Sequence, residues 1–220
     1  MAGAGAAAHL TPPYDEPIEP MSIASRFPQL SPGVPQVKSR WRRWVGVAGL
    51  WLAGWRIEPP LPTVPKCVLI VAPHTSNWDF VMGFLAYLAM QMDASWLAKH
   101  TALAGFWGRV GRHFGGIPVD RSKPGNVVEA CIEAFASPHG RIIVITPEGT
   151  RKRVDEWKRG YHRIALAAGV PIVPTAIDFK ARCVRFGPPL QPTDDIEADE
   201  RVLRAFFRAE MARHPALYKE

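Results

Sequence analysis

The chain has 220 residues, a formal net charge of +7 and a sequence pI of about 9.6, and 47% of its residues are hydrophobic. Length and apolar content exclude a wholly disordered chain and suit one α/β domain with appendages, while the basic balance favours anionic partners such as nucleic acid, acidic lipid headgroups or phosphorylated substrates. Cys67, Cys131 and Cys183 are widely spaced with no Cys-x-x-Cys, which argues against a disulfide framework or a zinc site and for a reducing compartment.

Residues 1–37 hold seven prolines, an alanine- and glycine-rich start and few large apolar side chains, so the expectation is a disordered tail. The first Lys or Arg is Arg26, and residues 1–25 lack the charged start and apolar middle of a secretory signal. Residues 38–60 differ in kind. Lys38, Arg40, Arg42 and Arg43 precede a stretch from Trp44 to Trp55 that is uncharged for 12 residues, against the roughly 20 that a spanning helix needs. A basic flank, an apolar body and indoles at Trp41, Trp44, Trp51 and Trp55 predict a helix lying in the headgroup region, on the cytoplasmic side. The alternative is a core helix covering one face of a sheet.

Residues 61–220 read as one domain. The run Cys67–Ala72 predicts a buried strand, followed by an apolar helix over 77–92 and a second strand over 93–98. A glycine-interrupted helix over 101–113 and a short edge-like strand over 117–119 come next. Val127, Val128, Cys131, Ile132 and Phe135 recur at helical spacing within 124–137, and Arg141–Ile145 opens another strand. A helix over 158–168 and strands over 171–177 and 182–186 follow. The segment 194–213 begins acidic and ends basic, as a helix macrodipole favours. Strands alternating with helices predict an α/β fold with a mainly parallel, layered sheet flanked by helices.

Two strands empty into polar clusters, and in open α/β sheets ligands gather beyond the carboxyl ends of strands. The first cluster is Pro73-His74-Thr75-Ser76-Asn77-Trp78-Asp79. A carboxylate on one imidazole nitrogen fixes the tautomer and leaves the other nitrogen free to take a proton, so His74 and Asp79 suit a general base acting on a hydroxyl. Helix capping by Ser76 or Asn77, with Asp79 as a first-turn acid, explains the same spacing without catalysis. The second cluster is Thr146-Pro147-Glu148-Gly149-Thr150-Arg151, in which the loop brings Glu148 and Arg151 beside each other and Arg151 offers a planar fork for phosphate. Gly115–Val119 leads to Asp120 and Arg121, a third strand end carrying a guanidinium. Between Arg151 and Arg163, six basic residues face Asp155 and Glu156, with Trp157 and Tyr161 among them. That stretch reads either as a solvated face or as an attractor of anionic lipid, CoA phosphates or an acidic carrier protein.

Four segments in order resemble the glycerolipid acyltransferase family, whose best-known members are 1-acyl-sn-glycerol-3-phosphate acyltransferases. His74 to Asp79 matches its His-x-x-x-x-Asp block, Gly115 to Arg121 its second, Pro147 to Arg151 its third, and Val170 to Pro174 its fourth. The resemblance implies an acyltransferase domain over 61–220, with His74 as base and Asp79 as its orienter. Arg121, Glu148, Gly149, Thr150 and Arg151 would bind the acceptor, and the fourth block would serve donor binding and packing. It further implies acyl transfer from acyl-CoA or acyl carrier protein to a lysophospholipid hydroxyl, with 1-acyl-sn-glycerol-3-phosphate as the first expectation. No cofactor or metal is implied, and the expected location is the cytoplasmic face of the cell membrane. Acylation of a different lysolipid is the nearest alternative. A non-catalytic basic membrane-binding module is the alternative from another class, and no nucleic-acid partner is expected.

Overall fold

The computed structural model describes residues 22–99, 101, 104–119, 124–136 and 140–220. Its elements run, in order, α1 (Ile23–Arg26), α2 (Arg40–Leu52), β1 (Arg56–Glu58), β2 (Lys66–Ala72), α3 (Asn77–Met90), β3 (Ala94–Lys99), α4 (Gly105–His113) and β4 (Gly116–Val119). They continue with α5 (Pro124–Ala136), β5 (Arg141–Ile145), α6 (Gly160–Ala168), β6 (Ile172–Asp178), β7 (Cys183–Phe186) and α7 (Ile196–Arg204). Among the described residues seven strands form one sheet in the order β1-β7-β6-β2-β5-β3-β4. Only the β6–β7 pairing is antiparallel.

Period-two alternation divides the strands between two cores. Cys67 and Leu69 of β2, Ile142 of β5 and Val173 and Ile177 of β6 face a core shared with α2 and α3. Val68, Ile70, Ile143, Ile172 and Ala176 face the other, which contains Cys131 and Phe135 of α5, Ile164 of α6 and Leu203 of α7. Apolar runs that look continuous in sequence are therefore strands covered on both faces. The mainly parallel layered α/β sheet expected from the sequence is what forms.

Three expectations need correction. Residues 22–37 are not a disordered tail, because Phe27, Leu30 and Val34 are buried in the α2–α3 core. Burying such side chains contributes about 1.5–3 kcal/mol each, enough to hold an otherwise proline-rich segment against the domain. Residues 1–20 lie outside the described set, as does Met21.

The segment 38–60 is not one helix. It is α2 followed by the edge strand β1, which pairs with β7, and Trp55 between them is only 4% exposed, edge-on to Phe179 with ring centres 5.0 Å apart. Helix α2 lies against α3 so closely that a Cβ on Gly46 would come within 2.3 Å of the Ala89 nitrogen. Arg43 is likewise structural, donating to the carbonyls of Ala89 and Phe27. Trp41, Trp44, Trp51 and Leu52 remain outside, with Trp44 72% exposed. No helix among the described residues is long and apolar enough to cross a membrane.

The helix expected over 194–213 stops at Arg204. Asp195 caps α7 by accepting from the Ala198 nitrogen, and the chain then turns inward to bury Phe207, Met211 and Tyr218 against the second core. Two short 3-10 turns, Ala209–Met211 and Pro215–Leu217, take the place of the helix's continuation.

Candidate active site

Strands β2 and β5 are parallel neighbours with Ile70 opposite Ile145, so their carboxyl ends stand at the same height. From the end of β2 the chain passes through Pro73, His74 and Thr75 to Ser76, the N-cap of α3. The Ser76 hydroxyl accepts from the Trp78 nitrogen at 3.1 Å. Asp79 completes a capping box, its Oδ2 accepting from the nitrogens of Thr75 at 2.7 Å and Ser76 at 2.8 Å. The same Oδ2 lies 3.2 Å from Nδ1 of His74.

Capping and catalysis are thus not rivals here. Two backbone N–H groups fix the carboxylate, and the fixed carboxylate faces the imidazole. Nδ1 of His74 and Oδ1 of Asp79 are buried and complete no hydrogen bond, so a small ring rotation would close the pair. The His74 side chain is 19% exposed. With Nδ1 buried, Nε2 is the nitrogen left for a substrate.

Glu148 comes from the β5 end. Its Oε1 accepts from the His74 backbone nitrogen at 2.7 Å, and the residue is only 2% exposed. Burial is the main cause that pushes its carboxyl up to about 7; Asp79 adds to the rise, while the His74 N–H and Arg204 oppose it. The loop is held by Gly149 donating to the Thr146 carbonyl and Lys158 donating to that of Pro147. Gly149 sits at φ +66°, and a Cβ there would press on the Lys158 stem at 2.9 Å. Thr150 accepts from the Lys152 nitrogen through its hydroxyl at 3.3 Å.

Arg151 departs from the expectation that it pairs with Glu148. The glutamate turns inward to His74, and Arg151 is exposed, with no ion pair between the two. Burial separates them: a carboxylate at a strand end faces the core, whereas the guanidinium three residues later reaches water. Arg121, the other expected acceptor contact, lies outside the described residues, as does Asp120.

Beside the His74 loop lie residues that the sequence did not single out. The Thr75 hydroxyl accepts from the His214 nitrogen at 3.2 Å, which brings the C-terminal segment against the His74 loop. Arg213 stacks over Trp78, 5.3 Å from its ring centre. A cavity of about 340 Å3 lies there, lined by Trp55, Trp78, Met82 and Phe179 with Arg182 and Arg213. Only a pair of basic residues before Pro215 marked this place in sequence, and that is no signal by itself.

Burial pushes the thiols of Cys67 and Cys183 up to about 12 and that of Cys131 up to about 11, so none is a ready nucleophile. Among the described residues no three His, Cys, Asp or Glu side chains converge as metal ligands would. The amides of Thr75, Ser76 and Trp78 already have acceptors, so most of the α3 start is not available to an oxyanion. The fourth block begins β6, with Val170, Ile172 and Val173 buried, which is a packing role.

A protein-family model described as Acyltransferase matches residues 60–178, more than half of the chain. The chain belongs to the acyltransferase family. The acyltransferase has a fold similar to that in the crystal structure of the 1-acyl-sn-glycerophosphate (LPA) acyltransferase PlsC from Thermotoga maritima. The two are 18% identical with a TM-score of 0.55, over 76% of this chain and 77% of that one. No curated protein matches the acyltransferase.

Proposed function

We propose that this acyltransferase moves a fatty acyl group from a thioester, acyl-CoA or acyl carrier protein, to the free hydroxyl of a lysophospholipid. The observation that carries the reading is the approach of His74 Nδ1 to an Asp79 carboxylate already held by two amides. Of the lysolipids, 1-acyl-sn-glycerol-3-phosphate is favoured because guanidinium groups flank the site: Arg151 on the surface, and Arg182 and Arg213 by the neighbouring cavity.

His74 Nε2 takes the acceptor's hydroxyl proton as that oxygen attacks the thioester carbonyl. Asp79 stabilises the imidazolium so formed. The tetrahedral oxyanion collapses, the carbon–sulfur bond breaks, and the imidazolium returns its proton to the departing thiolate. Ester and free thiol result, and no covalent acyl-enzyme forms.

The surface suits a cytoplasmic membrane face. Trp41, Trp44 and Trp51 are exposed on α2, beside exposed Lys38 and Arg40. Between Arg151 and Arg163 the aromatics Trp157 and Tyr161 are buried, and the outward face carries more basic side chains than acidic ones, Asp155 and Glu156 being exposed there too, which suits an anionic donor or lipid.

The test is purified protein incubated with a panel of lysolipids and acyl thioesters, with thiol release and product mass followed together. Phosphatidic acid formation that disappears in His74→Ala, with unchanged circular dichroism, is expected. Retained turnover in that variant would reject the base assignment. A product from a different lysolipid would move the acceptor and leave the chemistry. Vesicle binding with no thiol release would favour the non-catalytic module.

A further inference from the structure

A second concentration of charge lies at the amino ends of the strands, the edge of the sheet opposite His74. A cavity of about 370 Å3 opens there between α2, α3, α4 and the starts of β3, β4 and β5. Arg42, Arg112, His113 and Arg141 line it, with Tyr87 and Ser95. Asp93 is the carboxylate among its lining residues.

Two of these arginines are set in place. Arg42 is only 6% exposed, lies over the Phe114 ring with 4.7 Å to its centre, and contacts Nε2 of His113 at 3.4 Å. Arg141 donates from Nη1 to the Ser95 hydroxyl at 3.4 Å, while its Nε is buried and completes no hydrogen bond. Neither has a carboxylate within ion-pair distance among the described residues. Desolvating a guanidinium without an acid against it is costly, and proteins ordinarily avoid it unless something else supplies the negative charge. One wall is glycine backbone: Gly115, at φ +84°, sits where a Cβ would strike the Ala94 carbonyl at 2.2 Å.

We infer that this cavity binds a phosphate-type dianion, held by the forks of Arg42 and Arg141 and the hydroxyls of Tyr87 and Ser95. The planar guanidinium offers paired N–H donors at the spacing of phosphate oxygens. The volume holds a phosphate with a small organic part and lies at the lower end for small-molecule sites. The site is separate from the acyl-transfer centre. Strand β5 alone, from Arg141 to Ile145, puts about 13 Å between the two ends. A lipid headgroup and a soluble phosphate ester both carry this chemistry, and Arg42 shares its helix with the exposed Trp41 and Trp44.

Two probes separate the sources. Inorganic phosphate is titrated calorimetrically into the full chain at an ionic strength held constant with sodium chloride. Phosphatidic acid in phosphatidylcholine vesicles is tested by flotation. The variants are Arg141→Gln, Arg42→Lys (which keeps charge and stem) and, as a control, Arg201→Gln at an exposed position of α7. The expected result is saturable phosphate binding, weakened at least tenfold in Arg141→Gln and Arg42→Lys and unchanged in Arg201→Gln, with melting temperatures alike. The same pattern seen only with vesicles assigns the site to a lipid headgroup. Wild-type binding of both probes in Arg141→Gln, an equal loss in Arg201→Gln, or no binding of either probe overturns the proposal.

Discussion

The backbone nitrogen of His74 donates to Oε1 of Glu148 across 2.7 Å. Two segments far apart in sequence are joined by this bond because β2 and β5 run parallel, side by side, and end together. Glu148 therefore ties the main chain at His74 to the end of β5, at the cost of a carboxylate in a dry place.

That cost is measurable. The Glu148 carboxyl is raised from 4.5 to about 7 in the folded chain, chiefly by burial. Between those values the folded state keeps a proton that the unfolded state has lost, so stability falls as pH rises, and the full penalty stands above about 7. Its size is about 3 kcal/mol. Glu148→Gln retains an acceptor oxygen for the His74 N–H but never ionises. In urea unfolding near pH 8 the variant should exceed wild type by up to about 3 kcal/mol, and below the unfolded value of 4.5 the two should converge. A stability difference of equal size at both pH values would contradict this account.

Asp79 carries two tasks on one oxygen, and two substitutions separate them. Asp79→Asn keeps an oxygen for the Thr75 and Ser76 nitrogens while removing the charge beside His74. Its thioester turnover should fall roughly 10²- to 10⁴-fold with little change in melting temperature. Asp79→Ala removes the cap as well and should cost a further ~1–2 kcal/mol of stability. Equal destabilisation in both variants, with activity tracking stability, would leave capping as the residue's whole role.

Much of this arrangement was legible in the chain because its signals were local. Cys67–Ala72 and Arg141–Ile145 announced strands, and the polar residues after them announced the site. The illegible parts depended on tertiary packing. Phe27, Leu30 and Val34 look sparse among prolines, yet each finds the α2–α3 core. Trp55 looks like the fourth indole of an interfacial set, but β1 begins one residue later and carries it inside. Glu148 and Arg151 look like a pair, and only the strand-end geometry turns one in and the other out. Arg213 reaches Trp78 through a C-terminal fold-back that no periodicity encodes.

The indoles of one sequence patch should accordingly behave as two classes. Trp44 is 72% exposed and Trp55 is 4% exposed. Trp44→Ala, alone or with Trp51→Ala, should leave stability within about 0.5 kcal/mol of wild type and lower partitioning onto anionic vesicles. Trp55→Ala should cost about 3–5 kcal/mol whether or not lipid is present. Chemical denaturation and vesicle pelleting of the same preparations check both halves. Unaltered vesicle binding in the double variant would remove α2 from the membrane account.

Which guanidinium grips the acceptor's phosphate is decided by kinetics with matched substrates. Arg151 stands exposed past the Glu148 turn, whereas Arg213 is stacked on Trp78 beside the His74 loop. A charge-assisted contact contributes about 1.5–3 kcal/mol. Losing it should raise KM for a lysophosphatidic acid by about tenfold or more, with kcat little changed, if the grip is the same in ground and transition states. Arg151→Gln is expected to show that pattern, and to show it only for phosphate-bearing acceptors, because a neutral monoacylglycerol offers the fork nothing to hold. Arg213→Gln also loses its stack on Trp78, so its melting temperature is read alongside. A KM rise in Arg213→Gln but not in Arg151→Gln would place the phosphate over the Trp78 cavity. Equal loss on charged and neutral acceptors in both variants would mean that neither arginine touches it.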